Sequence, residues 1–250
     1  METIIPSTSK VLSSLLRADF TTQWRNRRAV IMVILVPVII LISWKGLIEK
    51  FGGAFALSNC ITVGLTAIGL MGYSNSVARD RDKGVFQRLR VAPVPSWSIM
   101  TSRLIVQLAL IVIMILAVFF AGYKYDHISL GRSAYIMSIL ASFIGGAMYL
   151  GLGQAIVGMI TNPETVSSTS RLVYFFFIMI GLFGAFGALG ETLGQIVRWS
   201  PYGVVAHILS SSMHPESWDG EATKALALAF AYTALFSTLG IRWFKWNTAK

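Results

Sequence analysis

The feature that most constrains this chain is a succession of apolar stretches, each about 20 residues long, separated by short charged clusters. At about 1.5 Å per residue such a stretch crosses a hydrocarbon layer of about 30 Å, and in lipid a helix satisfies its own backbone. The spacing predicts spans near residues 29–48, 55–77, 104–123, 134–160, 172–190 and 222–244. None alternates apolar and polar residues as a barrel strand would. The expected fold class is therefore an all-α membrane protein with six transmembrane helices. Composition agrees: 55% of the 250 residues are hydrophobic and 13% charged, with a mean hydropathy of +0.67. A soluble core could not hide that much apolar surface.

Charge sets the expected orientation. An even number of spans puts both termini on one side, and cytosolic loops are richer in Lys and Arg. Of the 21 basic residues, fifteen fall on the side of the termini, in residues 1–28, 79–103, Arg171, and the C-terminal end with Arg242, Lys245 and Lys250. Six fall opposite: Lys45, Lys50, Lys124, Arg132, Arg198 and Lys224. Both termini are expected in the cytosol of a multi-pass cell-membrane protein. The net charge of +10 follows the ends of the spans rather than forming a patch for nucleic acid, so lipid headgroups, not nucleic acid, are the expected polyanion.

The chain divides into a cytosolic amphipathic segment 1–28, a spanning domain 29–244 and a cytosolic tail 245–250. In the first, Leu12, Leu16, Phe20 and Trp24 recur every four residues beside Arg17, Arg25, Arg27 and Arg28, which predicts an interfacial helix. A cleavable signal would place an apolar core directly after a short basic region, so this segment is expected to stay on the protein. Trp44, Trp199, Trp243 and Trp246 stand near span ends as aromatic anchors. The apolar piece 202–213, between the last two spans, is too short to cross and predicts a re-entrant or interfacial element on the outer side, or else a packed loop.

Several chemistries lack their residues. No G-x-x-x-x-G-K-[ST] loop is present to cradle nucleotide phosphates. The lone Cys60 makes no intramolecular disulfide and no Cys-based metal site, and His127, His207 and His214 lack the spacing of a metal pair. No catalytic or metal site is expected. Ion coupling usually needs an ionisable group near the membrane centre, and the spans instead carry neutral polar residues. Among these Asn59, Thr62, Thr66, Gln107 and Gln154 are candidate substrate-path residues, though the same groups suit hydrogen bonds between helices. Small residues at Ala147, Gly151 and Ala155, and at Gly181, Gly184, Gly187 and Gly190, predict close helix packing. Pro37 removes one backbone hydrogen bond from the first span and is expected to kink it.

The loop 77–103 is the most informative segment. A short helix at 85–91 would set Val85, Phe86 and Leu89 on one face and Gln87, Arg88 and Arg90 elsewhere. Pro93 and Pro95 would stop it, and Ser96 would cap the next helix. Such an amphipathic knuckle suits docking into a groove on a cytosolic protein. A basic amphipathic loop also suits anionic lipid, but Asp80 and Asp82 between Arg79, Arg81 and Lys83 weaken that attraction.

In these features the sequence resembles the type-2 ABC exporter permeases, a family of bacterial drug, glycolipid and polysaccharide export subunits. The resemblance covers nearly the whole chain through the six-span plan and three local patterns. Arg79, Asp80, Arg81, Gly84, Leu89 and Pro93 match the loop after the second span; Asn162, Pro163 and Glu164 follow the fourth; Ser200, Pro201 and Tyr202 stand in the outer region. Val85 and Gln87 depart from the family's usual Thr and Glu. The resemblance implies a coupling helix made by Arg79, Asp80, Arg81, Gly84, Val85, Phe86, Gln87, Arg88, Leu89, Arg90 and Pro93, which would dock on a separate ATP-binding-cassette subunit present in two copies. It also implies a second permease copy, identical or similar, a bacterial plasma or inner membrane, and ATP with Mg held by the partner rather than by this chain. The apolar spans then suit outward movement of a hydrophobic or amphipathic substrate, drug or lipid-like, with a lipid-linked polysaccharide as an alternative. A membrane scaffold that recruits a cytosolic partner and an independent facilitator are the readings from other classes.

Overall fold

The computed structural model describes residues 8–91, 96–185, 187 and 190–244, and among them every regular element is helical. Helix α1 (Thr8–Arg25) is followed by α2 (Arg27–Ser43), and the two are inclined at 59°. A short α3 (Lys45–Phe51) leads into a continuous rod built from α4 (Gly53–Thr66), a π-helical segment (Ala67–Tyr73) and α5 (Ser74–Asp82). Next come α6 (Val85–Val91), α7 (Ser96–Asp126), α8 (Arg132–Met159) and α9 (Pro163–Ala185). Two short helices, α10 (Gly190–Arg198) and α11 (Pro201–Met213), and a 3₁₀ turn (Pro215–Ser217) precede α12 (Gly220–Trp243).

Five of these helices are long and apolar enough to cross a membrane on their own: the rod, α7, α8, α9 and α12. A sixth span arises if the bent pair α1 and α2 is taken together. The first predicted span is broken. Residues 29–48 do not form a single helix; α2 runs through Pro37 and ends at Ser43, where Trp44, Lys45 and Gly46 replace the apolar run. Its 17 residues reach only about 25 Å at 1.5 Å per residue.

Helix starts follow local capping chemistry. α9 begins at Pro163, well before the predicted 172, because the Asn162 side chain accepts from the N–H groups of Glu164 (2.8 Å) and Thr165 (3.2 Å), and Pro163 is preset for a first helical position. Ser200 caps α11 in the same way, accepting from the Gly203 N–H at 3.3 Å, with Pro201 next. Asp219 caps α12 through the Ala222 N–H at 2.7 Å.

The rod is the central column: 89% of its most apolar window is buried, against 17% for α9 and α12, which are peripheral. Lipid solvates apolar side chains, so the buried positions are those where helices meet rather than where residues are most apolar. The π segment and α8 approach closely, and a methyl on Gly69 or Gly153 would run into the facing backbone. Gly158 meets Gly240 on α12 just as closely, and Gly151 lies under Ser237. Gly181 and Gly184 seat the Tyr202 ring and Val197. Gly151, Ala155, Gly181 and Gly184 thus pack helices of this one chain, Ala147 is exposed, and Gly187 and Gly190 have φ of 69° and 70° between α9 and α10.

The thirteen residues of α11 cannot cross a bilayer as a helix, and the segment instead packs among α4, α8, α9 and α12, with Tyr202, Val204, Val205, Ile208 and Leu209 buried. It lies at the end of the bundle opposite α6, because α7, α8, α9 and α12 run alternately up and down. Residues 1–7 and the tail 245–250, with Trp246, lie outside the described residues.

Candidate functional site

The segment 79–91 is a helix end, a glycine turn and a second helix of about two turns. Gly84 sits between α5 and α6 with φ of 67°, a conformation that costs a residue with a Cβ but not glycine. Its N–H donates to the Arg81 carbonyl and its own carbonyl accepts from the Arg88 N–H, so the turn closes α5 and opens α6. The Arg88 guanidinium adds a bond to the Lys83 carbonyl at 2.8 Å.

Three contacts fasten this turn to the bundle. Arg81 points inward and is 1% exposed; its guanidinium donates to the carbonyls of Val157 (2.8 Å), Ile160 (2.6 Å) and Thr161 (2.9 Å). Those are carbonyls at the C-terminal end of α8, where a helix leaves acceptors without partners and carries partial negative charge. One planar cation thus caps a 28-residue helix from another element. Asp80, on the neighbouring face, pairs with Arg103 of α7 at 2.8 Å. Phe86, the second residue of α6, is fully buried, with its ring edge-on to Phe244 at 5.8 Å and beneath the Arg103 guanidinium at 4.8 Å. Phe244 in turn lies under Arg81, 5.8 Å from ring centre to guanidinium.

This arrangement corrects one expectation. Phe86 was to be an apolar anchor offered outward with Val85 and Leu89, but it is spent on the chain's own core, and Val85 is half-buried. An apolar helix face fills whichever groove is nearest, and here Phe244, just past α12, and Arg103 of α7 provide it. Among the described side chains of the knuckle, the exposed ones are polar: Arg79, Asp82, Lys83, Gln87 and Arg88. The side chains of Leu89 and Arg90, and the whole of Pro93, lie outside the described residues.

The five neutral polar residues of the spans are not brought together. The hydroxyls of Thr62 and Thr66 donate to the carbonyls of Ser58 and Thr62 within their own helix, each at 2.7 Å. Asn59 accepts from the Tyr202 hydroxyl at 3.2 Å and borders a cavity of about 720 Å³ at the end opposite α6, together with Gln195, Arg198 and His207. Gln154 accepts from the Tyr73 hydroxyl at 2.7 Å and borders a separate cavity of about 460 Å³ nearer α6. Gln107 is buried beside Asp80 and Arg103 in a space of about 30 Å³. Asn59 and Gln154 therefore tie helices together, each through a tyrosine that polarity alone did not single out.

Other partners were equally hidden in the sequence. Arg103 reads as an orientation charge at the start of a span, and Phe244 as the last apolar residue of the chain's final run. Asp19 of α1 accepts from Ser102 of α7 at 2.5 Å, which fixes the amphipathic helix beside the Asp80–Arg103 pair. Nothing in the local pattern pairs residues so far apart in sequence.

No curated protein matches the sequence. The family described as ABC-2 family transporter protein matches it over residues 48–242, from within α3 almost to the end of α12, and so takes in the rod, the knuckle and α11. With well over half of its length covered, the chain belongs to the ABC-2 family of transporter proteins, membrane components of ATP-binding-cassette transporters.

Proposed function

We propose that this chain is the permease subunit of an ABC exporter that moves a hydrophobic or amphipathic substrate, drug or lipid-like, outward with ATP hydrolysed on a separate subunit. Six spans, with both termini and α6 in the cytosol, a homodimer or a pair of similar permeases, and two copies of an ATP-binding-cassette subunit holding ATP and Mg complete the assembly. The observation that carries the reading is the triple fastening of the turn between α5 and α6. Arg81 and Asp80 tie the end of α5 to α8 and, through Arg103, to α7, and Phe86 ties α6 to Phe244 beside the end of α12, so a displacement of this turn is passed to three spans. A rocking bundle driven from its cytosolic end requires such rigid linkage.

The exposed residues Arg79, Gln87 and Arg88 meet the ATPase in this reading, while Arg81, Gly84 and Phe86 hold the knuckle in shape; Val85, Leu89, Arg90 and Pro93 complete it. The cavity beside Asn59 at the opposite end is of ordinary ligand size and suits the exit side of a substrate path. Apolar spans without a central charge favour apolar cargo over an ion-coupled one.

The test is copurification from native membranes with the double variant Arg79→Glu, Arg88→Glu. The expected outcome is at least a tenfold loss of associated ATPase with unchanged membrane insertion and melting. Full association in the double variant would remove the exposed knuckle face from the interface, and a wild-type chain that recovers no ATPase would sink the exporter reading. Variants of Phe86 do not serve this purpose, because its ring belongs to the core.

A further inference from the structure

The cavity bordered by Gln154 has a chemistry that cargo movement through the bundle centre does not explain. It lies between α7, α8 and α12, close to the α6 end, and holds about 460 Å³. Met100, Leu104 and Leu108 recur every four residues and present one stripe of α7 to it, and Ile241 and Phe244 face that stripe from α12. Its polar groups are largely occupied already. The Tyr73 hydroxyl donates to Gln154, and the Thr233 hydroxyl donates to the Ala229 carbonyl of its own helix. A ligand therefore meets apolar surface, with little left to reward a hydrogen-bonding head.

The rim tells where such a ligand comes from. Leu104 and Ile241 are exposed at its edge, so the slot opens on the outer surface of the helix bundle. Beyond Phe244 the cavity adjoins a second one, also of about 460 Å³, bordered by Gly158, Met159, Arg242 and Trp243. A cation and an interfacial tryptophan stand there at the last turn of a span, the depth at which headgroups lie. An apolar slot that leads to a basic rim matches an amphiphile in shape and in charge order.

We propose that this pair of cavities binds one anionic phospholipid of the leaflet on the α6 side, with an acyl chain between α7 and α12 and its phosphate beside Arg242. Phe244 is the wall between the two parts and also the ring against Phe86 and Arg81, so the bound lipid touches the element that holds α6. The π segment ends at Tyr73, a lining residue of the slot, and π-helical turns within regular helices are frequent at functional sites. This site needs the bundle to stand in a membrane but not to be driven by ATP, so its failure would leave the transport reading untouched.

The experiment uses the full chain in vesicles of phosphatidylethanolamine and phosphatidylglycerol, with a fraction of the phosphatidylglycerol carrying a photoactivatable diazirine near the end of one acyl chain. After irradiation, adducts are mapped by peptide mass spectrometry. Peptides with Met100–Leu108 and Thr233–Phe244 are expected to exceed those with Leu116 and Phe120, apolar residues of α7 exposed elsewhere, by at least fivefold. Filling the slot with Ala147→Phe is expected to remove that excess, and Arg242→Gln to reduce it when the probe is phosphatidylglycerol but not when it is phosphatidylcholine. Equal adduct yields on all exposed apolar faces of the wild-type chain overturn the site, whatever the variants do. An excess indifferent to Ala147→Phe overturns the slot, and one indifferent to Arg242→Gln overturns the anionic headgroup.

Discussion

Replacing Arg81 by methionine removes a cation from the most buried polar position of the knuckle while its linear stem is refilled. In the wild type the guanidinium makes three hydrogen bonds to the end of α8, and the Val157 bond is fully buried whereas those to Ile160 and Thr161 are partly open. A hydrogen bond to a charged group contributes about 1.5–3 kcal/mol net, and a buried acceptor left without a donor costs about 1–3 kcal/mol. Water reaches the two open carbonyls and recovers part of this, and burying the guanidinium has its own desolvation cost that methionine avoids. The balance is a loss of about 2–4 kcal/mol, dominated by the stranded Val157 carbonyl. At about 2–4 °C per kcal/mol for a chain of this size, the purified variant in detergent melts on the order of 5–15 °C lower. Arg81→Lys keeps the charge but has no planar fork, so it satisfies fewer of the three carbonyls and falls about midway. The assay is thermal unfolding followed by circular dichroism, with hydrogen exchange of the 157–161 and 85–91 amides as a local readout. If Arg81→Met melts within about 2 °C of wild type, or loosens neither segment, the guanidinium is not what holds the turn between α5 and α6 to α8.

Two further positions probe the local chemistry. Gly84→Ala has open space around its new methyl, the nearest atom being Gln87 Oε1 at 3.5 Å, so its cost is the backbone conformation alone. About 1 kcal/mol of stability is expected to be lost, less in Gly84→Asn, with faster exchange of the α6 amides; an unchanged exchange rate would show that the turn tolerates a side chain. Asp219 is titrated instead. The Ala222 N–H that it caps holds its carboxyl below the ordinary 3.8, so its stabilisation is present above that value and is lost as pH falls through the lower folded value. The melting difference between wild type and Asp219→Ala should therefore narrow as pH drops from about 5 towards 2, and a difference that widens would contradict the cap.

Much of this fold is written locally. Apolar runs of spanning length set five helices, and Asn162–Pro163, Ser200–Pro201 and Asp219 mark helix starts by capping chemistry that needs no distant residue. The shortness of 202–213 already forbade a crossing there. In the knuckle, the glycine at 84 and the apolar-polar alternation of α6 were legible for the same reason.

What the sequence could not decide is which residues face each other. In a membrane protein hydrophobicity does not separate inside from outside, since lipid and core are equally apolar, so Phe86 could be read as an outward anchor until the fold put Phe244 and Arg103 around it. Arg81 and Arg88 are both arginines in one charged cluster, yet one caps α8 from within and the other lies at the surface. Neutral polar residues look alike in a span, but only the packing gave Thr66 to its own helix, Asn59 to Tyr202 and Gln154 to Tyr73. Lengths, caps and charge asymmetry are properties of neighbours along the chain and therefore belong to the sequence alone. Partners across 76 residues, as between Arg81 and Val157, exist only once the helices have packed.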